Sequence, residues 1–109
     1  MEHKEKLSEC EEMLMSILLD SNEDLVLTEI MEKLKNCFQK EWKMQTVCTF
    51  LTRMERKGYI SRYRIGRYSH YRPEITLEEF RMQKLQQVKE ILLFNNTAEM
   101  ADFVRNMGG

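Results

Sequence analysis

Residues 42–71, WKMQTVCTFLTRMERKGYISRYRIGRYSHY, constrain the fold of this chain more than any other stretch. Four apolar residues in its first half recur at the spacing of one face of an amphipathic helix. They are Val47, Phe50, Leu51 and Met54. The basic pair Arg56 and Lys57 precedes Gly58, which ends the helix, and two aromatic and β-branched runs follow on either side of Gly66. A helix followed directly by a basic hairpin predicts a winged helix.

Two further amphipathic helices are predicted before this stretch. Ser8 and Glu11 fit a capping box, S-x-x-E, at the start of a helix that we expect to run from about Glu9 to Leu19. We expect residues 25–27 to form an edge strand, and Thr28 to cap a second helix that extends to about residue 38. Two helices, a tight connection and a third helix form the helix-turn-helix pattern, in which the later helix enters the major groove of DNA.

The solvent face of the third helix carries side chains suited to contacting bases. Threonine is short enough to bring a helix backbone close to base edges, and arginine or glutamine can make bidentate contacts to guanine or adenine. The predicted base-contacting residues are Gln45, Thr46, Thr49 and Arg53. An ordinary polar surface is the alternative, although such a surface more often mixes Glu with Lys.

Positive charge is concentrated in the same region. Residues 35–72 contain ten Lys and Arg and two acidic residues, whereas residues 1–34 contain three and ten, so the net charge of −1 hides a basic segment. Arginines at 62, 64, 67 and 72 could straddle phosphates or enter a minor groove, although charge also protects an edge hairpin from aggregation. The predicted DNA-backbone contacts are Lys43, Arg62, Arg64 and Arg67, with Arg67 at the tip of the wing.

The chain after Pro73 is predicted to be helical and to have a partner. Thr76 and Glu79 fit a second capping box, which opens a long helix to about Phe94, and a short helix is expected after Thr97. The apolar stripe exceeds what a three-helix domain with a wing can bury. Its predicted contact residues are Phe80, Val88, Ile91, Leu92, Phe103 and Val104. We therefore predict two parts, residues 1–73 and residues 74–109.

Other function classes find little support in the sequence. No nucleophile lies near a base, no glycine loop could cradle phosphate, and the histidines and the three cysteines have no metal-ligand spacing, so no enzyme activity, metal or cofactor is predicted. We expect Cys10, Cys37 and Cys48 to be small packing residues, with a redox-sensing thiol as the alternative for Cys48, which lies next to the exposed face of the third helix. The charged N-terminus and the absence of a long apolar run predict a cytoplasmic protein with no membrane partner.

Three segments resemble one known family, the penicillinase and methicillin-resistance repressors with the related copper-responsive repressors (BlaI/MecI/CopY). The segments are LSECEEMLMSIL, LTEIMEKLK, and W-x3-TVxTFLTRMERKGYI followed by GRYSHYRPEIT. The resemblance implies a winged-helix domain that binds a palindromic operator and a C-terminal helical part that forms a homodimer. It maps the operator-facing residues onto Thr46, Thr49 and Arg53, and the wing tip onto Arg67.

The chain departs from the family pattern near its C-terminus. Ala101-Asp102-Phe103 stands where the antibiotic-resistance repressors are cleaved at an Asn-Phe bond, so the resemblance does not carry that switch over. The cysteine-rich motif of the copper repressors is absent, and the additional C-terminal helix is missing, which predicts a smaller dimer contact.

Taken together, these features predict a mainly α fold with a small β-hairpin (α+β), a winged helix-turn-helix followed by C-terminal dimerisation helices. The predicted function is repression of transcription by a homodimer on double-stranded operator DNA, with no small-molecule ligand identified. Two alternatives stay open: a winged-helix protein-interaction module that has no operator, and a ligand-responsive regulator of another winged-helix family.

Overall fold

The computed structural model describes residues 5–94 and confirms the predicted winged helix. The elements in chain order are α1 (Glu9–Asp20), β1 (Leu25–Val26), α2 (Leu27–Phe38), α3 (Met44–Arg56), β2 (Ile60–Ile65), β3 (Tyr68–Pro73) and α4 (Leu77–Phe94). The chain divides between Thr76 and Leu77 into two compact units, and the first holds three helices and the sheet. The predicted short helix after Thr97 lies outside the described residues.

The predicted capping box at the start of α1 is present. The Ser8 hydroxyl oxygen accepts a hydrogen bond from the Glu11 backbone N–H at 3.2 Å, and Glu11 Oε1 accepts one from the Ser8 N–H at 2.7 Å. Each side chain satisfies a backbone donor that the first helical turn leaves without a partner. This reciprocal pair fixes the residue at which α1 begins.

The prediction that Thr28 caps α2 is wrong. The helix begins at Leu27, two residues earlier than a cap at Thr28 would allow, and its N-cap is the last strand residue, Val26. Valine has no side-chain acceptor, and Glu29 supplies the compensating bond by accepting from the Val26 N–H at 3.0 Å. Because strand β1 leads directly into the helix, the Thr28 hydroxyl is left exposed and is not used as a cap.

A three-stranded antiparallel sheet in the order β1-β3-β2 forms the wing and its base. The predicted edge strand is present as β1, with Leu25 opposite Tyr71, but it ends at Val26 because Leu27 begins α2. A two-residue turn, Gly66-Arg67, joins β2 to β3, with Ile65 opposite Tyr68. Gly66 has a φ of +61°, in the left-handed region that glycine adopts without steric cost, so the turn can be tight.

The core of the first unit lies where α1, α2 and α3 meet the base of the sheet. Its most deeply buried apolar side chains are Leu14, Met15, Leu18, Ile30, Leu34, Val47, Leu51, Met54, Tyr59 and Ile60. Burying each large aliphatic side chain contributes on the order of 1.5–3 kcal/mol. The predicted packing role is wrong for Cys37, whose side chain is exposed near the end of α2, while Cys10 and Cys48 are half-buried.

An ion pair inside the first unit was not predicted from the sequence. Lys57 Nζ lies 2.7 Å from Glu11 Oε1 and also donates to the Lys6 carbonyl at 2.9 Å, while the Tyr59 hydroxyl donates to the Glu5 carbonyl at 2.7 Å. The sequence had placed Lys57 simply as positive charge on the last turn of α3. These bonds instead attach the junction of α3 and β2 to the segment that leads into α1.

Candidate nucleic-acid interface

Helix α3 is held with one face fixed in the core and the other turned to solvent. Val47, Leu51 and Met54 are buried, as the helical spacing predicted. Phe50, the fourth residue of the predicted stripe, is half-buried, and its ring centroid lies 5.5 Å from that of Trp42 in a tilted contact. Rotation of α3 about its axis would expose this apolar side, so the orientation of the opposite side is set by packing.

All four residues predicted to contact bases lie on the exposed side of α3. Gln45, Thr46, Thr49 and Arg53 are each exposed. The Thr49 hydroxyl donates to the Gln45 carbonyl at 3.0 Å, which orients this side chain along the helix. Among residues 5–94, no carboxylate pairs with Arg53, so its charge is available to an outside acceptor. The exposed side therefore offers two hydroxyls, one amide and one guanidinium, which is the chemistry that base edges in a major groove require.

Three wing arginines extend from the sheet beside α3. Arg62 is opposite Tyr71 and Arg64 is opposite Ser69, so both lie on the face of the hairpin that carries the buried Tyr71. Arg62 Nε lies 3.9 Å from Glu55 Oε2, a distance at which partly exposed charges attract only weakly. Arg64 and the turn residue Arg67 are exposed, and neither has a carboxylate partner within the described part of the chain.

A cleft of about 350 Å³ lies between the start of α2, the half-buried Cys48 of α3 and the wing. Arg62 and Arg67 line it together with Thr28, Cys48 and Tyr68. Burial raises the pKa of the Tyr71 phenol, which also borders the cleft, so this hydroxyl stays protonated. The cleft thus brings two guanidinium groups next to α3.

Thr28 belongs to this surface although the sequence suggested only a capping role, and its exposure follows from the early start of α2.

Arg72 does not belong with the other wing arginines, contrary to the expectation from the sequence. It lies opposite Ser61 on the other face of the hairpin, and its Nε is 3.1 Å from Asp24 Oδ2. The same carboxylate oxygen accepts from the Tyr63 hydroxyl at 2.5 Å. Asp24 raises the pKa of both partners, because it attracts the arginine cation and binds the phenol in its protonated form. Arg72 is therefore neutralised within the protein.

Lys43 immediately precedes α3 and is its N-cap residue in an extended conformation. Its side chain is exposed, and the described residues place no acidic partner beside it. Lys43 thus adds a cation at the N-terminal end of the helix, while Arg53 lies near the other end. Lys43 and Arg53 therefore place positive charge near both ends of the exposed side of α3.

The second unit presents an apolar helix surface. On α4, the side chains of Val88 and Ile91 are 51% and 62% exposed, and both were predicted as contact residues. Leu77 and Leu85 are exposed on the same side, while Met82 is exposed about a third of a turn away from Val88. The predicted residues Phe80 and Leu92 are half-buried, and Phe103 and Val104 lie outside the described residues. Large apolar side chains exposed in series along one helix are typical of an interface.

Within residues 5–94, the His, Cys, Asp and Glu side chains form no group of three or more that could hold a metal ion. In the same range, no helix combines the length and the apolar character that crossing a membrane requires.

Comparison with known proteins gives one family and several solved structures of similar fold. The sequence profile of the family described as penicillinase repressor matches residues 7–107. The DNA-binding domain of the repressor BlaI is 23% identical, with a TM-score of 0.61, and the match covers 72% of this chain and 93% of that one. The monomeric form of Bacillus licheniformis BlaI, solved in complex with the blaP half-operator, has the same identity and coverage and a TM-score of 0.57.

A third solved structure, a complex of hsRosR-S4, matches more of the chain at lower identity. It is 12% identical, with a TM-score of 0.65, and the match covers 95% of this chain and 88% of that one. The comparison with curated proteins finds no match. At these identities the structural likenesses establish the fold, and the family profile, which spans most of the chain, establishes descent.

Proposed function

Since this chain belongs to the penicillinase repressor family, whose members are DNA-binding transcriptional regulators and not enzymes, we propose that it represses transcription as a homodimer bound to a palindromic operator. Residues 1–73 are assigned to DNA binding and residues 74–109 to dimerisation. The division of the chain between Thr76 and Leu77 supports this assignment. So does the structure of BlaI, whose monomeric form was solved in complex with a half-operator.

One observation carries the proposal: the exposed side of α3 bears amide, hydroxyl and guanidinium groups, and the same helix borders a cleft lined by two wing arginines. We assign base contacts to Gln45, Thr46, Thr49 and Arg53, because their hydrogen-bonding groups match base edges. Contacts to the DNA backbone are assigned to Lys43, Arg62, Arg64 and Arg67, because exposed cations attract phosphate whatever the base sequence.

Dimerisation would convert a weak half-site contact into a specific one. Two copies joined through the apolar surface of α4 would place two α3 helices on successive major grooves, about 34–36 Å apart. The second half-site then binds at a high effective concentration, so affinity for the palindrome exceeds that for one half. Phe80, Val88, Ile91 and Leu92, with Phe103 and Val104, are assigned to this contact.

A selection of bound genomic fragments tests the proposal. The full chain is expected to enrich a palindrome whose half-sites are about one helical turn apart, 10–10.5 base pairs between centres. Enrichment of no sequence, together with binding that is equal for all duplexes, would contradict operator recognition. Under that result the exposed surface of α4 would make a protein-interaction module the better explanation.

A further inference from the structure

The outer face of the wing tip carries an exposed apolar pair. Ile65 and Tyr68 lie opposite each other in the last register before the Gly66-Arg67 turn, and their side chains are 61% and 59% exposed. Directly opposite residues of an antiparallel pair project to the same face. Two large apolar groups therefore project together from the end of a hairpin, where natural edge strands more often carry charge.

Cations surround this pair on its other sides. Arg67 occupies the turn itself, and Arg64 lies one residue before Ile65 and so projects from the opposite face. Neither arginine has a carboxylate partner among residues 5–94. Tyr68 also lines the basic cleft beside α3, so one member of the apolar pair borders the surface assigned to DNA. The tip thus combines one apolar face with uncompensated positive charge at its end and on its other face.

The minor groove of duplex DNA presents the matching arrangement. Its walls are deoxyribose rings whose C–H groups are apolar, and phosphates border these walls on both sides. Proteins that enter this groove combine cations with apolar side chains. A purely apolar partner would leave the charges of Arg64 and Arg67 unmatched, whereas a groove edged by phosphates satisfies both features of the tip at once.

We propose that Ile65 and Tyr68 pack against the deoxyribose walls of the minor groove beside each half-site, while Arg64 and Arg67 contact the phosphates that border it. This inference rests on the proposed operator binding. The apolar pair supplies a part of the affinity that does not depend on salt. The wing then contributes through shape and apolar contact as well as through charge.

The test uses the full chain and the palindromic duplex recovered by the selection. The double variant Ile65→Thr/Tyr68→Thr keeps β-branched residues in the strands, so the hairpin is expected to fold. Its affinity is expected to fall about tenfold at every salt concentration, because association recovers only part of the free energy of apolar burial. The slope of log affinity against log salt is expected to equal that of the wild type, since no phosphate contact is lost.

Matched variants separate the apolar contribution from charge and from folding. Ile65→Val/Tyr68→Phe keeps the apolar surface and is expected to retain wild-type affinity. Arg67→Ala is expected to lower affinity and to flatten the salt slope by about 0.9. Thermal unfolding of each variant, followed by circular dichroism, confirms that the loss arises in the folded protein.

Hydroxyl-radical footprinting locates the contact, because the radical attacks deoxyribose from the minor groove. Wild-type protein is expected to protect sugars flanking each half-site, and the threonine double variant is expected to lose that protection while keeping protection of guanine N7 in the major groove. Unchanged sugar protection, unchanged affinity, or a loss of self-association with DNA affinity intact would each overturn the inference. If the wild-type chain selects no duplex, the proposed function itself fails, which is a separate result.

Discussion

Lys57 Nζ and Glu11 Oε1 are 2.7 Å apart, in an ion pair whose carboxylate side chain is only 1% exposed. Glu11 Oε2 is buried and forms no hydrogen bond to any residue in the described part of the chain. Forty-six residues separate the two partners, and the bond joins the start of α1 to the end of α3. The position of the recognition helix therefore depends on this pair as well as on apolar packing.

Removal of either partner should destabilise the fold. Lys57→Met leaves a buried carboxylate without its cation, and we expect the free energy of unfolding to fall by about 3 kcal/mol. The double variant Glu11→Leu/Lys57→Met removes both charges and should recover most of that loss. Urea denaturation of the wild type, the two single variants and the double variant measures the coupling. Additive losses would mean that the pair does not interact energetically.

Stability should also decrease in acid through Glu11. Burial alone would raise the pKa of this carboxyl. The hydrogen bonds from Lys57 and Ser8 lower the pKa by more than burial raises it, so the net pKa lies below the ordinary value of 4.5. Between the unfolded and folded pKa values the unfolded chain binds more protons, so the stabilisation present above about pH 4.5 is lost as pH falls through the folded pKa. Unfolding free energies measured from about pH 6 to pH 3 should fall less steeply for Glu11→Gln than for Glu9→Gln, an exposed control.

The two classes of arginine should separate in their salt dependence. Arg53→Ala is expected to cost about 1–3 kcal/mol on the selected operator and to relax preference at one base position. Arg64→Ala should weaken binding to all duplexes and flatten the salt slope by about one. Fluorescence anisotropy across a salt series, on operator and random duplexes, measures both effects. Equal losses that are independent of salt would contradict the assignment of bases to α3 and of phosphates to the wing.

Arg72 should be silent in the same assay. Because Asp24 neutralises its guanidinium on the other face of the hairpin, Arg72→Gln is expected to leave the salt slope unchanged, whereas Arg64→Gln should reduce it. The two substitutions remove the same charge from neighbouring strands, which makes them matched controls. A slope that falls equally for both variants would place Arg72 among the phosphate contacts.

Substitutions on α4 should change the oligomeric state. Val88→Ser/Ile91→Ser removes two exposed apolar side chains, and we expect it to convert a dimer to a monomer in sedimentation equilibrium. The affinity of this variant for the palindrome should then fall towards the affinity for a single half-site. Its affinity for a single half-site should equal that of the wild type. Met82→Ser, about a third of a turn round the helix from Val88, is the control. A wild-type chain that sediments as a monomer at all concentrations would contradict the proposed dimer.

Local signals in the sequence predicted the elements well, and contacts between distant residues account for what was missed. The capping box at Ser8 and the spacing of Val47, Leu51 and Met54 depend on neighbours a few residues away, so α1 and α3 could be placed from the sequence. The start of α2 was misplaced because Thr28 is a strong cap by type, whereas the chain enters the helix directly from β1.

The candidate site also depends on contacts between residues that are distant in sequence. Alternation along the two strands could suggest which side chains share a face of the hairpin. Only the observed register places Arg72 opposite Ser61, and only the fold brings Asp24 next to Arg72. The buried pair of Glu11 and Lys57 joins two positions that each look like ordinary surface charge in sequence. The exposed apolar pair at the wing tip likewise became visible only when Ile65 and Tyr68 were found to be directly opposite.

The carboxylate of Asp24 holds the two strands of the wing together, so that only the tip of the hairpin is free to bend. One oxygen binds Tyr63 of β2 and Arg72 of β3 at once, so the hairpin is clamped up to this level. Beyond it, two residue pairs remain before the turn, a free length of about 7 Å at roughly 3.4 Å per residue. The deflection of a beam fixed at one end grows with the cube of its free length, so the tip is stiff. The backbone that carries Arg64 and Arg67 therefore reaches a duplex in a fixed orientation, and little backbone entropy is lost when the tip binds.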